Sequence, residues 1–338
     1  MTSASSDPHQ HSPQIVGDPP RLVRGDGDLG PDAIRLILTA PSRGDLLDRL
    51  GITGEDRTEL EPLIDAATAD PEILAAIAHT ANLLRAQAGL DASHADLGPL
   101  KQEHRALEQR VHPGEGLIAI LAFVAGTDTV RAWHAARGYD EDTSWGVLAD
   151  LGQQMRVHRA SSGRLGLHQI PWCALNWSGQ LVWLGRLQFD LHRTAIGTPR
   201  EHWVLGTHIP ATGPLDPDAV EASFTSATEF AREHFADLDA EPSLDLPGMG
   251  HEFHCESWLI NAQLPEVLGP SSNLGAFASR WQITGTQRGD DGAAFFVFGA
   301  RPPYDPSALP RTTRLERAVA DRLADGRGWR TGEGVLVR

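Results

Sequence analysis

HWVLGTHIPATGPLDPDAVEASFTSATEFAREHF, residues 202–235, decides the fold. His202–Ile209 reads as an apolar strand, and residues 210–215 as a loop of small residues and prolines. From Pro217 onward, Val220, Phe224, Ala227, Ala231, Phe235 and Leu238 recur at helical spacing and form one apolar stripe. Asp216-Pro217 is a helix start, an Asp cap with Pro at the first helical position. Free N–H groups at a helix N-terminus, backed by the helix dipole, attract an anion such as a pyrophosphate. Here Asp216 can satisfy those groups itself, and Asp216 and Asp218 repel phosphate. A pyrophosphate is therefore expected on the amides of the loop, from Ile209 to Leu215, where Pro210 and Pro214 remove two donors.

The 338 residues have room for two domains with a sizeable core. The net charge of −16 argues against nucleic acid as a partner, since phosphate binding needs a basic surface. Leu117–Ala125, the longest apolar run, is about half the length of a membrane span. No signal peptide is evident, and Cys173 and Cys255 are too few for a disulfide framework or a cysteine zinc site. A soluble cytoplasmic protein, with no membrane partner and no metal, is the expectation. Lys101 is the only lysine, which leaves little scope for Schiff-base chemistry.

Residues 1–31 lack apolar periodicity and read as a disordered tail, so His9 and His11 are set aside as ligands. Residues 32–162 carry apolar residues at three- and four-residue spacing and read as an all-helical domain. Residues 163–338 read as a mixed α/β domain. Ile170–Trp177 is expected to be a strand, joined through Ser178-Gly179-Gln180 to a second strand that alternates from Leu181 to Leu191. Phe253–Ile260 is expected to be a strand, Ser272–Trp281 a short helix, Ala293–Gly299 a strand and Thr313–Leu323 the final helix.

His202–Ile209 and Phe253–Ile260 each run into a turn and a helix. As parallel neighbours that splay apart they would leave a cleft for a linear thioester cofactor, whose amides could pair with the freed strand edges. LGRLQFDLH (184–192), HIPATGPLDPDAVEASF (208–224), CESWLINAQL (255–264) and SSNLGAFASRW (271–281) resemble the GNAT-like C-terminal domain of bacterial two-domain N-acyltransferases. The helical half resembles that family's N-terminal domain, notably in AFVAGTDTVRAWHAARG (122–138) and SWGVLADLGQQMRVHR (144–159). The resemblance implies an α+β protein, an all-helical N-terminal domain followed by a GNAT-like domain with a splayed central sheet. It also implies transfer of an acyl group from a coenzyme A or acyl-carrier-protein phosphopantetheine thioester to an amine. Some members serve lipopeptide assembly, joining a fatty or polyketide chain to a peptide amine. This chain departs from the family in two places. The pyrophosphate loop has a single glycine, Gly213, and Glu256 stands where His is common.

Direct aminolysis of a thioester needs a base for the amine and donors for the oxyanion. His254, Glu256 and Trp258 share one face of their strand, and Cys255 and Ser257 share the other. Glu256 is the first candidate for the base, because a carboxylate there also attracts a cationic amine. His254 is the second and His208, at the end of the neighbouring strand, the third. Ile209, Ala211, Thr212 and Gly213 are expected to meet the cofactor through backbone amides. Asn273 either bonds the pantetheine or belongs to the helix cap with Ser271 and Ser272. Cys255 reads as a small buried residue in preference to a nucleophile. Trp258 and Phe277 could wall an acyl tunnel. Arg186, Gln188, Asp190 and His192 form a polar strip that reads as a solvated sheet face or the lining of an acceptor cleft. An acidic carrier protein would need a basic patch, for which Arg156, Arg159, Arg164, Arg186, Arg193 and Arg200 are available. The competing class is a non-catalytic acyl-CoA sensor on the same fold.

Overall fold

The computed structural model describes residues 27–90, 98–194, 201–239 and 246–338. The expected tail lies outside these residues except for 27–31. The N-terminal half is helical: α1 (Pro31–Leu38), α2 (Arg43–Arg49), α3 (Gly54–Ala69), α4 (Pro71–Gln87), α5 (Gly98–Glu108), α6 (Leu117–Ala125), α7 (Thr127–Ala136), α8 (Glu141–Leu148), α9 (Asp150–Ser162) and α10 (Ile170–Ser178). Every residue of α6 is buried, so this helix, apolar all round, is the hub of the half. The long α4 packs along it, starting where the Asp70 carboxylate accepts the N–H groups of Glu72 and Ile73, with Pro71 in the first turn.

The helix α10 corrects the strand expected over Ile170–Trp177. Proline stands in its first turn and Gly179, at φ +78°, ends it, the punctuation of a helix. One face buries Cys173, Ala174 and Trp177, and the Trp177 indole donates to the Phe123 carbonyl at 2.9 Å.

The C-terminal half contains β1 (Leu181–Leu184), β2 (Leu187–Thr194), β3 (His202–His208), α11 (Pro217–His234), β4 (Glu252–Ser257), α12 (Gln263–Leu268), α13 (Asn273–Ala278), β5 (Gln282–Arg288), α14 (Asp290–Phe298), α15 (Arg314–Ala324) and β6 (Arg330–Val337). The strands form one sheet in the order β1-β2-β3-β4-β6-β5. Every neighbouring pair is antiparallel except β3–β4, which is parallel as expected. One sheet face is the core. There Phe189 of β2, Phe253 of β4 and Phe224 of α11 stack edge to face, with centroids 4.9–5.8 Å apart.

Three further expectations change. Residues 181–191 are two strands of a hairpin, with Gly185-Arg186 as the turn and Leu184 opposite Leu187. Residues 293–299 lie mostly in α14, which carries Asp290 and Asp291 in its first turn and ends at Gly299 with φ +68°. Edge strand β5 and glycine-bearing β6 were not expected, and β6 inserts between β4 and β5.

Two contacts between the halves bear on the site. Arg137 donates to the His234 carbonyl at 3.2 Å and pairs with Asp237 at 2.7 Å. Buried Asp150 of α9 accepts Trp172 Nε1 at 2.7 Å, Asn176 Nδ2 at 3.1 Å and Gln188 Nε2 of β2 at 3.2 Å, all on one oxygen. This second contact sets the helical half against the polar face of the sheet. Among the described residues, no helix is long and apolar enough to cross a membrane.

Candidate active site

The parallel ladder between β3 and β4 is short, pairing Leu205 with Phe253 and Gly206 with His254. Beyond it the strands part. His208 then stands on one wall of the opening and Glu256 on the other, both on the polar face. At its floor, one row crosses three strands: Asp190, Gly206 and His254.

Two carboxylates on this face each sit between two imidazoles. Asp190 accepts His192 Nδ1–H at 3.0 Å and His208 Nε2–H at 2.5 Å. Glu252 accepts His254 Nε2–H at 2.8 Å on one oxygen and His202 Nε2–H at 3.0 Å on the other. The two groups touch where the His192 and His254 rings meet edge to face at 5.9 Å. Asp190, Glu252, His202 and His254 are buried, whereas the His192 and His208 side chains are 38% and 36% exposed. Burial alone would raise the Asp190 carboxyl. The hydrogen bonds from His192 and His208 outweigh it and hold the group well below the usual carboxylate range. Gly206 is required by close approach, since a Cβ there would lie 2.0 Å from Asp190 Oδ1 and 3.0 Å from His192 Cε1.

These bonds place two candidate bases in different settings. His254 is enclosed at the floor. His208 is half-buried at the opening, where the Trp172 ring of α10 packs edge-on at 4.7 Å. With Nε2 of His208 donating to Asp190, the neutral imidazole has its lone pair on Nδ1. Glu256 is exposed and accepts Gln287 Nε2 of β5 at 2.6 Å. Cys255 points into the core, and burial, with the Glu256 charge behind it, pushes its thiol far above the usual range, so it is no thiolate nucleophile.

The loop after β3 is held by a residue whose role the sequence did not reveal. Arg186, in the β1–β2 turn, donates to the carbonyls of Pro210 at 3.0 Å, Gly213 at 2.8 Å and Pro214 at 2.9 Å. With these carbonyls drawn onto one guanidinium, the amides of Ala211 and Gly213 make no hydrogen bond among the described residues. Thr212 N–H is engaged by Pro210 O at 2.8 Å, and Ile209 is half-buried at the loop's start. Asp216 caps α11 by accepting from Asp218 and Ala219 N–H at 3.1 and 3.2 Å. The helix N-terminus is therefore occupied, and the loop amides of Ala211 and Gly213 are not.

Ser272 caps α13 through Gly275 N–H at 3.0 Å, leaving the exposed Asn273 side chain without a hydrogen bond among the described residues. Phe277 is core, packed on Trp281 at 5.9 Å. Trp258 is half-buried and stacks on Phe296 at 6.2 Å. The polar strip on β2 is not a solvated face: Gln188 and Asp190 are buried and hydrogen-bonded.

The arginines considered for a carrier-protein patch are dispersed. Arg156 donates to Gly51 O, Arg159 pairs with Asp56 and Glu59, Arg186 holds the loop and Arg193 lies over Trp203. Arg164 lines a separate cavity, and Arg200 lies outside the described residues.

An open mixed sheet that parts between two parallel strands, with imidazoles and a carboxylate at the parting and a helical domain over that face, is the architecture of a GNAT-type acyltransferase. Residues 42–179 match the N-acyltransferase N-terminal domain and residues 181–336 the GNAT-like C-terminal domain. The chain belongs to this family of two-domain N-acyltransferases and is an acyltransferase. Among solved structures it is similar to an acyltransferase in complex with decanoyl-CoA, with 28% identity over 87% of this chain and 86% of that one and a TM-score of 0.70. It is also similar to an acyltransferase in complex with decanoyl-CoA and teicoplanin, with 26% identity over 91% and 99% of the two chains and a TM-score of 0.69. An acyltransferase mutant in complex with octanoyl-CoA is 25% identical over the same shares, with a TM-score of 0.69. No curated protein sequence matches the chain.

Proposed function

We propose that this protein transfers a medium-chain fatty acyl group from coenzyme A to the amine of a peptide or peptide-like acceptor, as a tailoring step in lipopeptide assembly. The observation that carries the reading is the β3–β4 parting, with His208 and Asp190 on one wall and Glu256 on the other, beneath the helical half. The similar acyltransferases in complex with decanoyl-CoA, one also with teicoplanin, support both the donor and the acceptor class.

In this reading the thioester lies in the parting, its pantetheine amides against the unpaired edges of β3 and β4. The pyrophosphate meets the amides of Ala211 and Gly213 on the loop that Arg186 holds, and Ile209, Thr212 and Asn273 border the same path. The acceptor enters from the polar face. Glu256 draws in the ammonium form, which gives up one proton to solvent before reaction; the neutral amine nitrogen then attacks the carbonyl carbon and His208 Nδ1 takes a second proton from it. The N–C bond forms, the C–S bond breaks, and the leaving thiolate takes that second proton from His208. Asp190 keeps His208 in the tautomer that exposes Nδ1, and His254, held by Glu252, closes the floor. No covalent enzyme intermediate is needed. A carrier-protein donor finds less support, because Arg156, Arg159 and Arg186, which could have formed its dock, are engaged elsewhere.

The test is incubation with decanoyl-CoA and a deacylated teicoplanin-type antibiotic, with mass spectrometry of the product and thiol release measured in parallel. An N-decanoyl product whose formation falls at least about a hundredfold in His208→Gln is expected. Thioester binding without product from any amine would overturn the reading.

A further inference from the structure

A cavity of about 430 Å³ opens where the helical half meets the end of α14. Arg105, Arg164 and Arg301 border it, together with Ser161, Ser162 and the buried His158. Other arginines of this acidic chain pair with carboxylates, as Arg57, Arg110, Arg131 and Arg159 do. Around the cavity the three guanidinium groups have no carboxylate within ion-pair distance among the described residues, although Glu115 also borders the space. They come from α5, from the segment after α9 and from the segment after α14, so the fold brings them together from three separate places. Three cations converging on one recess make a seat for an anion, and guanidinium forks suit a carboxylate or phosphate.

Rings join this recess to the parting. Arg301 lies over Phe295 at 5.1 Å, and Phe295 meets Phe296 at 5.2 Å. Phe296, 61% exposed, stacks parallel to Trp258 at 6.2 Å, two residues beyond Glu256. Trp258, Phe296 and Phe295 thus form an aromatic line from the segment after β4 toward Arg301. The donor's phosphates have their own place on the loop after β3, which Arg186 ties toward the β1–β2 turn. None of the residues lining the recess belongs to that loop or that turn.

We propose that the recess is an anion subsite for the acceptor. It receives a carboxylate of an aryl-rich peptide amine whose apolar face rests on Phe296 and Trp258 while its amine reaches Glu256. The proposal rests on the acyl-transfer reading, and its test reads binding so that the two can fail separately. The probes are triphenylalanine as the free acid and as its carboxamide, titrated by calorimetry against the full chain and against an Arg164→Glu, Arg301→Glu variant. Both substitutions are at exposed positions. The wild type should bind the acid at least about tenfold more tightly than the amide, and the variant should lose that preference. Decanoyl-CoA should bind both proteins equally. Equal binding of acid and amide, binding of neither, or an acid preference that survives in the variant would overturn the proposal. So would a fall in decanoyl-CoA affinity in the variant, which would assign the arginines to the donor's phosphates. Failure of the acyl-transfer reading shows separately, as absence of product with the binding preference intact.

Discussion

Replacing Asp190 with Asn keeps the shape of the side chain and removes its charge. The carboxylate accepts two imidazole N–H groups, from His192 at 3.0 Å and His208 at 2.5 Å. Asparagine offers one acceptor oxygen and one donor nitrogen. One imidazole must therefore turn its lone pair to Nδ2, which moves the proton to its other nitrogen. If that imidazole is His208, Nδ1 carries a hydrogen and can no longer act as a base. General-base loss costs about 10²–10⁴ in rate, so kcat should fall at least about a hundredfold while the KM for decanoyl-CoA stays within about twofold. Stability also falls. Hydrogen bonds to a charged group contribute about 1.5–3 kcal/mol each. Asparagine keeps a weaker version of one, so a loss of about 2–4 kcal/mol is expected at pH 7.

The pH dependence separates this account from simple damage to the core. Asp190 is held below its ordinary range in the folded protein, so its contribution is fully present above the unfolded value of about 4. It is lost as pH falls through the lower folded value. The stability gap between wild type and Asp190→Asn, measured by urea unfolding, should narrow as pH falls below about 4. A gap of equal size at every pH, or an unchanged kcat, would refute the reasoning.

Glu256→Gln should raise the KM of the amine about tenfold with a smaller effect on kcat, since its part is to attract a cation; a fall in kcat as large as that of His208→Gln would make Glu256 the base. Arg186→Gln removes the donor to three loop carbonyls and should raise the KM for acyl-CoA about tenfold, checked against a dephosphorylated pantetheine thioester, whose KM should not change. Burial lowers the His134 imidazole to about 3. A group buried neutral costs stability as pH falls below its unfolded value of about 6.5, so unfolding at pH 5 should be easier by about 2 kcal/mol from this residue. His134→Gln should flatten that slope, as read by urea melts at pH 7 and 5.

Much of the fold could be read from the sequence because the deciding features are local. The Asp216-Pro217 start and the Val220–Phe224–Ala227–Ala231 stripe fix α11, and the strand before it follows from the loop between them. The errors arose where composition and punctuation disagree. Residues 170–177 and 293–299 are rich in aromatic and branched side chains, which suit strands, but each runs into a glycine at positive φ and carries a helix-start signal at its beginning. Those signals outweigh a weak β preference, because tertiary burial decides the remainder. Edge strand β5 buries too little to show alternation, as its residues Gln282–Arg288 are largely exposed.

The misreading of β2 shows why the active-site face was hidden. Over residues 181–191, Leu181, Trp183, Leu187, Phe189 and Leu191 keep odd numbers on both sides of Gly185-Arg186, which looks like one continuous strand. A two-residue turn with Leu184 opposite Leu187 reverses that parity, so Leu181 and Trp183 join Asp190 and Gln188 on one face. That face receives buried Asp150 and Trp172 from the helical half and so is not solvated. The strip of Gln188, Asp190 and His192 was visible as a pattern. Its partners, His208, Gly206 and His254, come from two other strands. The row of Asp190, Gly206 and His254 follows from the β2–β3 and β3–β4 registers, and the absence of a side chain at Gly206 makes room for it. An imidazole held by a shared carboxylate is thus a property of strand register. Moving β2 by one residue would turn Asp190 into the core, remove the partner of His208, and leave Glu256 facing an imidazole without a fixed tautomer.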